Sequence, residues 1–246
     1  MRQMLFAAGL LALAACTPAN QDKTATTSSM TAAVAANETM ATNPAAGTAA
    51  TAPATSTATE EKPMSYYQDK VAELHTSSGE IDVRFFPDVA PGHVRNFIDL
   101  AEKGFYNGTK FHRVIPGFMV QGGDPNTVSG DPSTWGTGGS PNRVKAEFSS
   151  IHHRRGILSM ARTSDPDSAS SQFFIMVADA PSLDNQYSVF GEVTKGMDAV
   201  DKIVSAPRGP NDRPFHPTTI TSVTIRAAKE SEKGPTPKVT RVDASS

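Results

Sequence analysis

Residues 111–124 read FHRVIPGFMVQGGD and carry more information about the fold than any other part of the chain. Two short β-rich runs flank Pro116 and Gly117, a pair that is typical of a turn. Side chains alternate along a strand, so two groups are each expected to share a face: Phe111, Arg113 and Ile115 on the first strand, and Met119 and Gln121 on the second. The pattern predicts a charged donor at an apolar wall, although an arginine that only covers the edge of the core would give the same pattern.

The sequence on either side of this stretch predicts a mainly β domain over residues 66–228. Apolar runs of strand length occur at 71–76, 81–86, 111–115, 118–121, 157–161, 173–178, 189–193 and 218–225. Helices are predicted from Pro91 to Gly104, where Pro and Gly suit the two ends, and over 195–204, where apolar residues recur at helical spacing. Many strands with two helices favour an antiparallel barrel or sandwich with helices at its ends. The polar C-terminal tail, residues 229–246, is expected to fray.

Net charge and cysteine content narrow the possible classes of function. The formal net charge is -2, so no strong field draws the chain to nucleic acid. The single cysteine, Cys16, excludes a disulfide within the chain and a cluster of thiolate metal ligands. The folded domain is therefore expected to be stabilised by its core alone, as a monomer.

The first fifteen residues are typical of a bacterial secretory signal peptide, with Arg2 before an apolar run and small residues before Cys16. The apolar run is about half of the roughly 20 residues that span a bilayer. Residues 13–16, LAAC, resemble the lipobox of bacterial lipoproteins, which implies a lipid anchor on Cys16. A plain signal peptide with a chance cysteine is the alternative. Thr17, in place of the aspartate that retains lipoproteins in the inner membrane, predicts a location in the cell envelope, at the outer membrane facing the periplasm.

Residues 16–65 are predicted to be the lipidated cysteine followed by a disordered tether. From Thr17 to Pro63 the chain is mostly Ala and Thr, and it contains no Leu, Ile, Phe, Tyr or Trp. Such a segment buries too little apolar surface to offset the entropy of ordering. A glycosylated stalk is the alternative that the sequence leaves open.

Several motifs, taken together with residues 111–124, resemble the cyclophilin family of peptidyl-prolyl cis/trans isomerases in its bacterial form. They follow one another in the family's order: GILSMA at 156–161, MART at 160–163, SQFFI at 171–175 and VFG at 189–191. The resemblance extends from about Val71 to Ile225. It implies an eight-stranded antiparallel barrel capped by two helices, with a substrate groove on its outer face and no cofactor or metal.

The resemblance also implies roles for individual residues. Arg113 corresponds to the catalytic arginine. The remaining matches line the proline pocket (Phe118, Met119, Phe174 and Leu183) or the groove that holds the peptide (Gln121, Ala161, Arg162, Gln172 and Tyr187). The glycine-rich loop 136–139 resembles one edge of that groove, and it follows an enlarged segment, 128–135, to which the sequence assigns no role. Ser182 departs from the pattern, because many members carry an aromatic residue there that contributes to the binding of cyclosporin-type inhibitors.

The implied activity is cis/trans isomerisation of X–Pro bonds in unfolded or exported polypeptides, which assists their folding. An arginine donor could stabilise the twisted amide, in which the proline nitrogen becomes an acceptor. A peptide-binding chaperone module with incidental isomerase activity is the main alternative, because the same groove would serve both. A structural protein of the envelope that keeps the fold is a third possibility.

Other candidate sites have simpler explanations. The pair His152-His153 lacks the spacing of metal ligands, since adjacent residues of a strand point to opposite faces. Ser159 has no glycine elbow to expose it as a nucleophile and is interpreted as a strand residue. The basic run 152–155 is interpreted as a solvated turn, with a partner-binding patch as the alternative.

Overall fold

The computed structural model describes residues 62–234, 237 and 239–242. The predicted signal peptide, Cys16 and nearly all of the tether lie outside this part of the chain. Within it, no helix is both long and apolar enough to cross a bilayer.

Strands account for most of the regular structure. They are β1 (Lys70–Thr76), β2 (Gly79–Phe85), β3 (Arg113–Ile115), β4 (Met119–Gly122), β5 (Phe148–Ser149), β6 (Ile157–Met160), β7 (Phe173–Met176), β8 (Val189–Lys195), β9 (Ile220–Ala227) and β10 (Arg241–Val242). The α-helices of the described residues are α1 (Pro91–Glu102), α2 (Asn126–Ser129) and α3 (Met197–Val204).

Eight of the strands form one antiparallel sheet in the order β3-β4-β7-β6-β8-β2-β1-β9. The sheet curls until its two edges meet just before β3 and β9. There Lys110 forms a bridge with Thr219, and the Phe111 amide donates to the Thr218 carbonyl over 3.0 Å. The predicted mainly β, eight-stranded antiparallel fold is therefore confirmed.

Helix α1 covers the core where its sequence predicts. Pro91 occupies the first turn, and the buried face carries Val94, Phe97, Ile98 and Ala101. Gly104 follows the helix with a φ of 69°, a left-handed conformation that glycine adopts without steric cost. Together with α3, this helix closes the inner core, in which Phe97 packs edge-on against Phe173 of β7.

Alternation along the central strands creates a second apolar cluster on the other face of the sheet. On β7, Phe173 and Ile175 belong to the inner core, whereas Phe174 and Met176 belong to this outer cluster. Its buried members are Phe86, Val89, Met119, Ile157, Phe174, Met176 and Val189. The apolar side chains of this outer cluster must be shielded from water, and the loops that shield them carry residues of the candidate site.

Two expectations about the residues around β3 and the tail are wrong. Phe111 does not share a face with Arg113: β3 begins only at Arg113, and Phe111 is fully buried in the inner core against Phe173. The tail does not fray directly after β9. Glu230–Glu232 form a helical turn, and β10 pairs with β5, the strand Phe148–Ser149 that the sequence did not predict.

Candidate active site

A transverse row of residues builds the centre of the site. Arg113 on β3 stands opposite Gln121 on β4, which stands opposite Phe174 on β7, which in turn faces Ser159 on β6. Directly opposed residues in antiparallel strands point to the same side of the sheet. The strand register alone therefore gathers a guanidinium, an amide and an aromatic ring on the outer face.

These residues open into a cavity of about 210 Å³. Its walls are Arg113, Phe118, Met119, Gln121, Ala161, Arg162, Phe174, Leu183 and Tyr187. All of these were singled out from the sequence. The remaining predicted residue, Gln172, lines an adjoining cavity of about 600 Å³ together with the loop 136–140. The structure thus brings the whole predicted set together, with Gln121, Ala161 and Arg162 shared between the two cavities.

Hydrogen bonds connect the arginine to the glycine-rich loop. Arg113 Nη1 lies 3.5 Å from Gln121 Oε1, and Gln121 Nε2 donates to Gln172 Oε1 over 2.9 Å. Gln172 Nε2 in turn donates to the carbonyls of Gly136 and Gly138, at 3.0 and 2.7 Å. The two glutamines therefore fix the polar side of the site and leave most donors of Arg113 directed elsewhere.

The other side of Arg113 faces a residue that the sequence did not reveal. Its Nε lies 3.7 Å from Asp212 Oδ2, and Asp212 also lies 3.4 Å from Arg208 Nε. Asp212 has a φ of 55°, a left-handed backbone conformation that is uncommon outside glycine, and it ends the tight turn Pro210–Asp212. No motif marks this loop, so only the folded chain brings Asp212 to Arg113.

A buried carboxylate shapes the glycine-rich loop. Asp124 accepts backbone N–H bonds from Asn126 (2.8 Å), Gly136 (2.5 Å) and Gly138 (3.3 Å). A Cβ at Gly138 would lie 2.2 Å from Asp124 Oδ1, so only glycine fits there. The loop is consequently held close to Gln172, where its carbonyls can accept the bonds that orient the glutamines.

Aromatic rings form the apolar side. Tyr187 meets Phe174 edge-on, with ring centroids 5.7 Å apart. The guanidinium of Arg162 lies 4.7 Å from the Tyr187 ring centroid, and its Nε donates to the Gln186 carbonyl over 3.1 Å. These contacts are of the cation–π and edge-to-face kinds that stabilise ring positions. Ser182 is exposed beside Leu183 on the turn Pro181–Leu183 and does not line the cavity.

A polar network supports these rings from behind and corrects the interpretation of residues 152–155 as a solvated turn at one position, His153, since the other three residues are exposed as predicted. His153 is buried, and its ring lies parallel to Phe174 with centroids 6.2 Å apart. Its Nδ1 lies 3.1 Å from Asp184 Oδ1, and its Nε2 lies 3.2 Å from Ser159 Oγ. Burial lowers the pKa of His153, because the charged imidazolium is disfavoured there more than Asp184 favours it.

The order Ser159, His153, Asp184 matches the connectivity of a nucleophilic triad, but its environment does not suit that chemistry. Ser159 is a strand residue, as predicted; it is fully buried, and its hydroxyl donates to the Ser188 carbonyl over 3.0 Å. A substrate carbonyl could not reach it. Among the described residues, no group of three or more His, Cys, Asp or Glu side chains could hold a metal ion.

The arrangement can bind an apolar ring beside the guanidinium of Arg113, while the guanidinium of Arg162 is engaged with the Tyr187 ring. Such a site can stabilise an acceptor that develops in a strained amide, and it needs no proton transfer to do so. These residues are therefore suited to promoting a change in the conformation of an amide bond.

Comparisons with known proteins all indicate the same family. The family model "Cyclophilin type peptidyl-prolyl cis-trans isomerase/CLD" matches residues 71–225. A probable peptidyl-prolyl cis-trans isomerase of Brucella abortus (strain 2308) is 46% identical over 160 residues, covering 63% of this chain and 81% of that protein. Peptidyl-prolyl cis-trans isomerase A of Dickeya dadantii (strain 3937) is 45% identical over 161 residues, covering 63% and 82%. A crystal structure of a cyclophilin-type isomerase from Cryptosporidium parvum, in the presence of the dipeptide Ala-Pro, gives a TM-score of 0.58 at 30% identity, covering 64% of this chain and 99% of that one.

Proposed function

This chain belongs to the cyclophilin-type peptidyl-prolyl cis-trans isomerases, and we propose that it isomerises X–Pro bonds of exported polypeptides by stabilising the twisted amide with Arg113. The proposal has three parts beyond the family: the mechanism, the class of substrate and the place where the protein works.

The mechanism follows from the chemistry of the amide. Delocalisation of the nitrogen lone pair gives a rotation barrier of about 18–20 kcal/mol, and uncatalysed X–Pro exchange takes tens to hundreds of seconds. At a right-angled twist the lone pair localises on the proline nitrogen, which then accepts a hydrogen bond. A guanidinium placed beside that nitrogen binds the twisted state better than either planar isomer, and this difference is what accelerates the reaction.

One observation carries the proposal: the guanidinium of Arg113 lines a cavity in which apolar side chains are combined with Gln121 and a second arginine, Arg162. Arg162 is engaged with the Tyr187 ring and the Gln186 carbonyl, which leaves Arg113 as the donor for a bound amide. Phe118, Met119, Phe174 and Leu183 line that cavity, which has a volume of about 210 Å³. The Gln121–Gln172 chain restrains the guanidinium on one side, so its orientation does not have to be fixed during the reaction. The Cryptosporidium structure obtained with Ala-Pro supports a proline-containing ligand for this type of groove.

The test replaces the donor and leaves the fold intact. We expect Arg113→Ala to lower kcat/KM on an X–Pro tetrapeptide by about a hundred- to a thousandfold, the usual effect of removing a transition-state donor. Arg154→Ala is the matched control, because Arg154 is an exposed arginine outside both cavities. A folded Arg113→Ala protein with near-normal activity would refute the mechanism. A wild type that binds proline peptides without accelerating their isomerisation would favour the chaperone alternative.

The location rests on the first seventeen residues of the sequence. A signal peptide over residues 1–15 and a lipid on Cys16 would place the domain in the cell envelope, and Thr17 in place of aspartate favours the outer membrane facing the periplasm, where newly exported chains fold. More than one acyl chain is needed for stable anchoring. Intact-mass analysis of the mature protein is expected to give an acylated Cys16 as the first residue, and an unmodified soluble form would contradict the anchor.

A further inference from the structure

The two large hydrophobic side chains that are most exposed among the described residues lie on neighbouring segments. They are Val128, at 48% exposure, and Phe215, at 65%. Val128 belongs to the enlarged segment 128–135, and Phe215 belongs to the loop 207–217. Between Trp135 of the first segment and Phe215 of the second lies an open groove of about 360 Å³.

One wall of this groove is a rigid hairpin-like loop. The Gly209 amide donates to the Arg213 carbonyl over 2.8 Å, and the Phe215 amide donates to the Pro207 carbonyl over 2.9 Å. The Phe215 ring packs on Gly209 so closely that a Cβ there would lie 2.9 Å from Phe215 Cε1. The ring is therefore held on one side by its own loop and presents its other side to solvent.

The opposite wall is held as firmly. Trp135 Nε1 donates to the Gly130 carbonyl over 3.2 Å, and the Asp131 carboxylate accepts from the Ser133 amide over 2.8 Å. Two cations lie over the Trp135 ring, Arg213 at 5.5 Å and Lys110 at 5.9 Å from its centroid. Prolines 132, 210, 214 and 217 complete the lining. A surface built from proline and aromatic rings suits an apolar side chain, and it loses little conformational entropy on binding.

The groove lies next to the candidate active site. Asn211 and Arg213 line the groove, and Asp212 between them lies 3.7 Å from Arg113, which lines the 210 Å³ cavity. A peptide whose proline occupies that cavity could therefore extend past Asp212 and place another of its side chains in the groove. We propose that this groove is a second substrate subsite, which binds an aromatic or large aliphatic side chain of the same polypeptide. The proposal rests on the isomerase function and gives the segment 128–135 a role in selecting substrates.

Trp135 makes the subsite directly observable, because it is the only tryptophan of the chain. The experiment titrates the purified full chain with X–Pro peptides that carry Phe or Ser at each of the second to fourth positions on either side of the proline. Trp135 emission reports occupancy of the groove, and kcat/KM is measured on the same peptides. An X–Pro tetrapeptide whose other residues are all Ala provides the reference rate, because it has no side chain large enough to fill the groove.

We expect at least one register in which Phe shifts the Trp135 emission and raises kcat/KM about tenfold over Ser. Phe215→Ser should abolish both effects while leaving the tetrapeptide rate unchanged. Val128→Ser, an exposed apolar residue of the same region that does not line the groove, should retain both.

Three outcomes would overturn the proposal. The peptides could show no preference for Phe at any position, or the preference could survive in Phe215→Ser. Alternatively, Trp135 emission could change with protein concentration as the chain dimerises, which would assign the groove to a second copy of the protein. Failure of the proposed isomerase function can be told apart from failure of the subsite. In that case the tetrapeptide would not be isomerised, whereas the Trp135 emission titration would still report whether the groove binds Phe.

Discussion

Ser182 is an exposed position at which we predict different effects on substrate turnover and on inhibitor binding. It lies on the turn beside Leu183, outside the cavity that holds the predicted proline ring. The turn is held by backbone bonds, from the Leu183 amide to the Ala180 carbonyl over 3.0 Å and from the Asp184 amide to the Pro181 carbonyl over 3.1 Å, and Gln186 Nε2 donates to the Ser182 carbonyl over 2.9 Å. None of these bonds uses the Ser182 side chain, so the turn tolerates another side chain there. We predict an active enzyme with weak sensitivity to cyclosporin-type cyclic peptides. Ser182→Trp should increase inhibitor affinity about tenfold through added apolar contact, with tetrapeptide turnover nearly unchanged.

Inhibitor titration of both proteins in the same isomerase assay measures this effect. Ser182→Thr is the matched control, because it alters the side chain without adding an aromatic surface. Tight inhibition of the wild type, or equal inhibition of all three proteins, would show that position 182 does not govern the groove.

For single residues, the sequence indicated the side chains that line the candidate site but not the contacts that hold those side chains in place. Arg113 and the lining residues were assigned through the resemblance of several long motifs to the cyclophilin family, and the strand register brings Arg113, Gln121 and Phe174 together in space. Phe111 was misplaced because alternation was extended two residues before β3 begins. Asp212 and His153 could not be predicted, since each meets its partner only through loops that no periodic pattern describes.

Among the elements, the turn that carries Leu183 depends on Asp184. The Asp184 carboxylate accepts from the His153 amide at 2.8 Å and lies 2.6 Å from Nδ1 of His152. It thereby ties the turn Pro181–Leu183 to the loop before β6. Burial alone would raise the pKa of Asp184, but the hydrogen bonds from His152 and His153 outweigh burial and hold that pKa below its ordinary value.

We predict that Asp184→Asn lowers the free energy of unfolding by about 1–3 kcal/mol at pH 7, because the amide keeps only one acceptor oxygen and turns an NH2 donor toward the donors of His152 and His153. A carboxyl whose folded pKa is depressed stabilises the protein above its unfolded pKa of about 3.9 and loses that contribution as pH falls further. The difference between wild type and variant should therefore shrink below about pH 4. Urea unfolding at several pH values measures it, with Asp179→Asn as control, because Asp179 is exposed and accepts one backbone N–H, from Arg155 over 3.0 Å, but contacts no histidine.

Two of the three buried histidines, His112 and His153, should add a separate dependence on pH. Burial lowers the pKa values of His112 and His153, so the unfolded chain binds protons that the folded chain does not. Stability should consequently begin to fall as pH drops below about 6.5, the ordinary value for histidine. This decline should persist in Asp179→Asn. A stability that stays constant from pH 7 to pH 5 would contradict these directions.

Strand β5 illustrates why some elements escape prediction. It has two residues, Phe148 and Ser149, and its partner β10 lies more than ninety positions further along the chain. A segment that short carries no detectable alternation. The hairpin of β1 and β2, by contrast, was predictable because its strands are seven residues long and adjacent in the sequence.

Across the whole molecule, an arginine connects the tail to the sheet. Arg226 on β9 contacts Glu73 of β1 at 2.5 Å, Asp82 of β2 at 3.5 Å and Glu232 of the tail at 2.6 Å. The pair with Glu232 is bidentate, and it holds the pKa of Glu232 at about 2. Beyond this contact, a Cβ at Gly234 would lie 2.0 Å from Arg84 Nη1, so the chain passes the sheet in close contact.

After this point the tail covers the outer cluster on which the candidate active site is built. Val239 packs against that cluster, the Ser150 amide donates to the Thr240 carbonyl over 3.1 Å, and β10 pairs with β5. Removal of residues 235–246 would expose apolar surface and leave the edge of β5 without its partner. We predict that the free energy of unfolding falls by about 1–2 kcal/mol and that Tm is lowered by roughly 3–8 °C.

A modest rise of KM for X–Pro peptides should accompany this loss of stability, because Phe174 and Met119 belong to the same cluster. Thermal unfolding and tetrapeptide kinetics measure both effects, with a chain that lacks only residues 243–246 as the control. Equal Tm values for the two truncations would mean that the pairing of β10 with β5 contributes nothing to stability, and that the cavity is supported by the sheet and its loops alone.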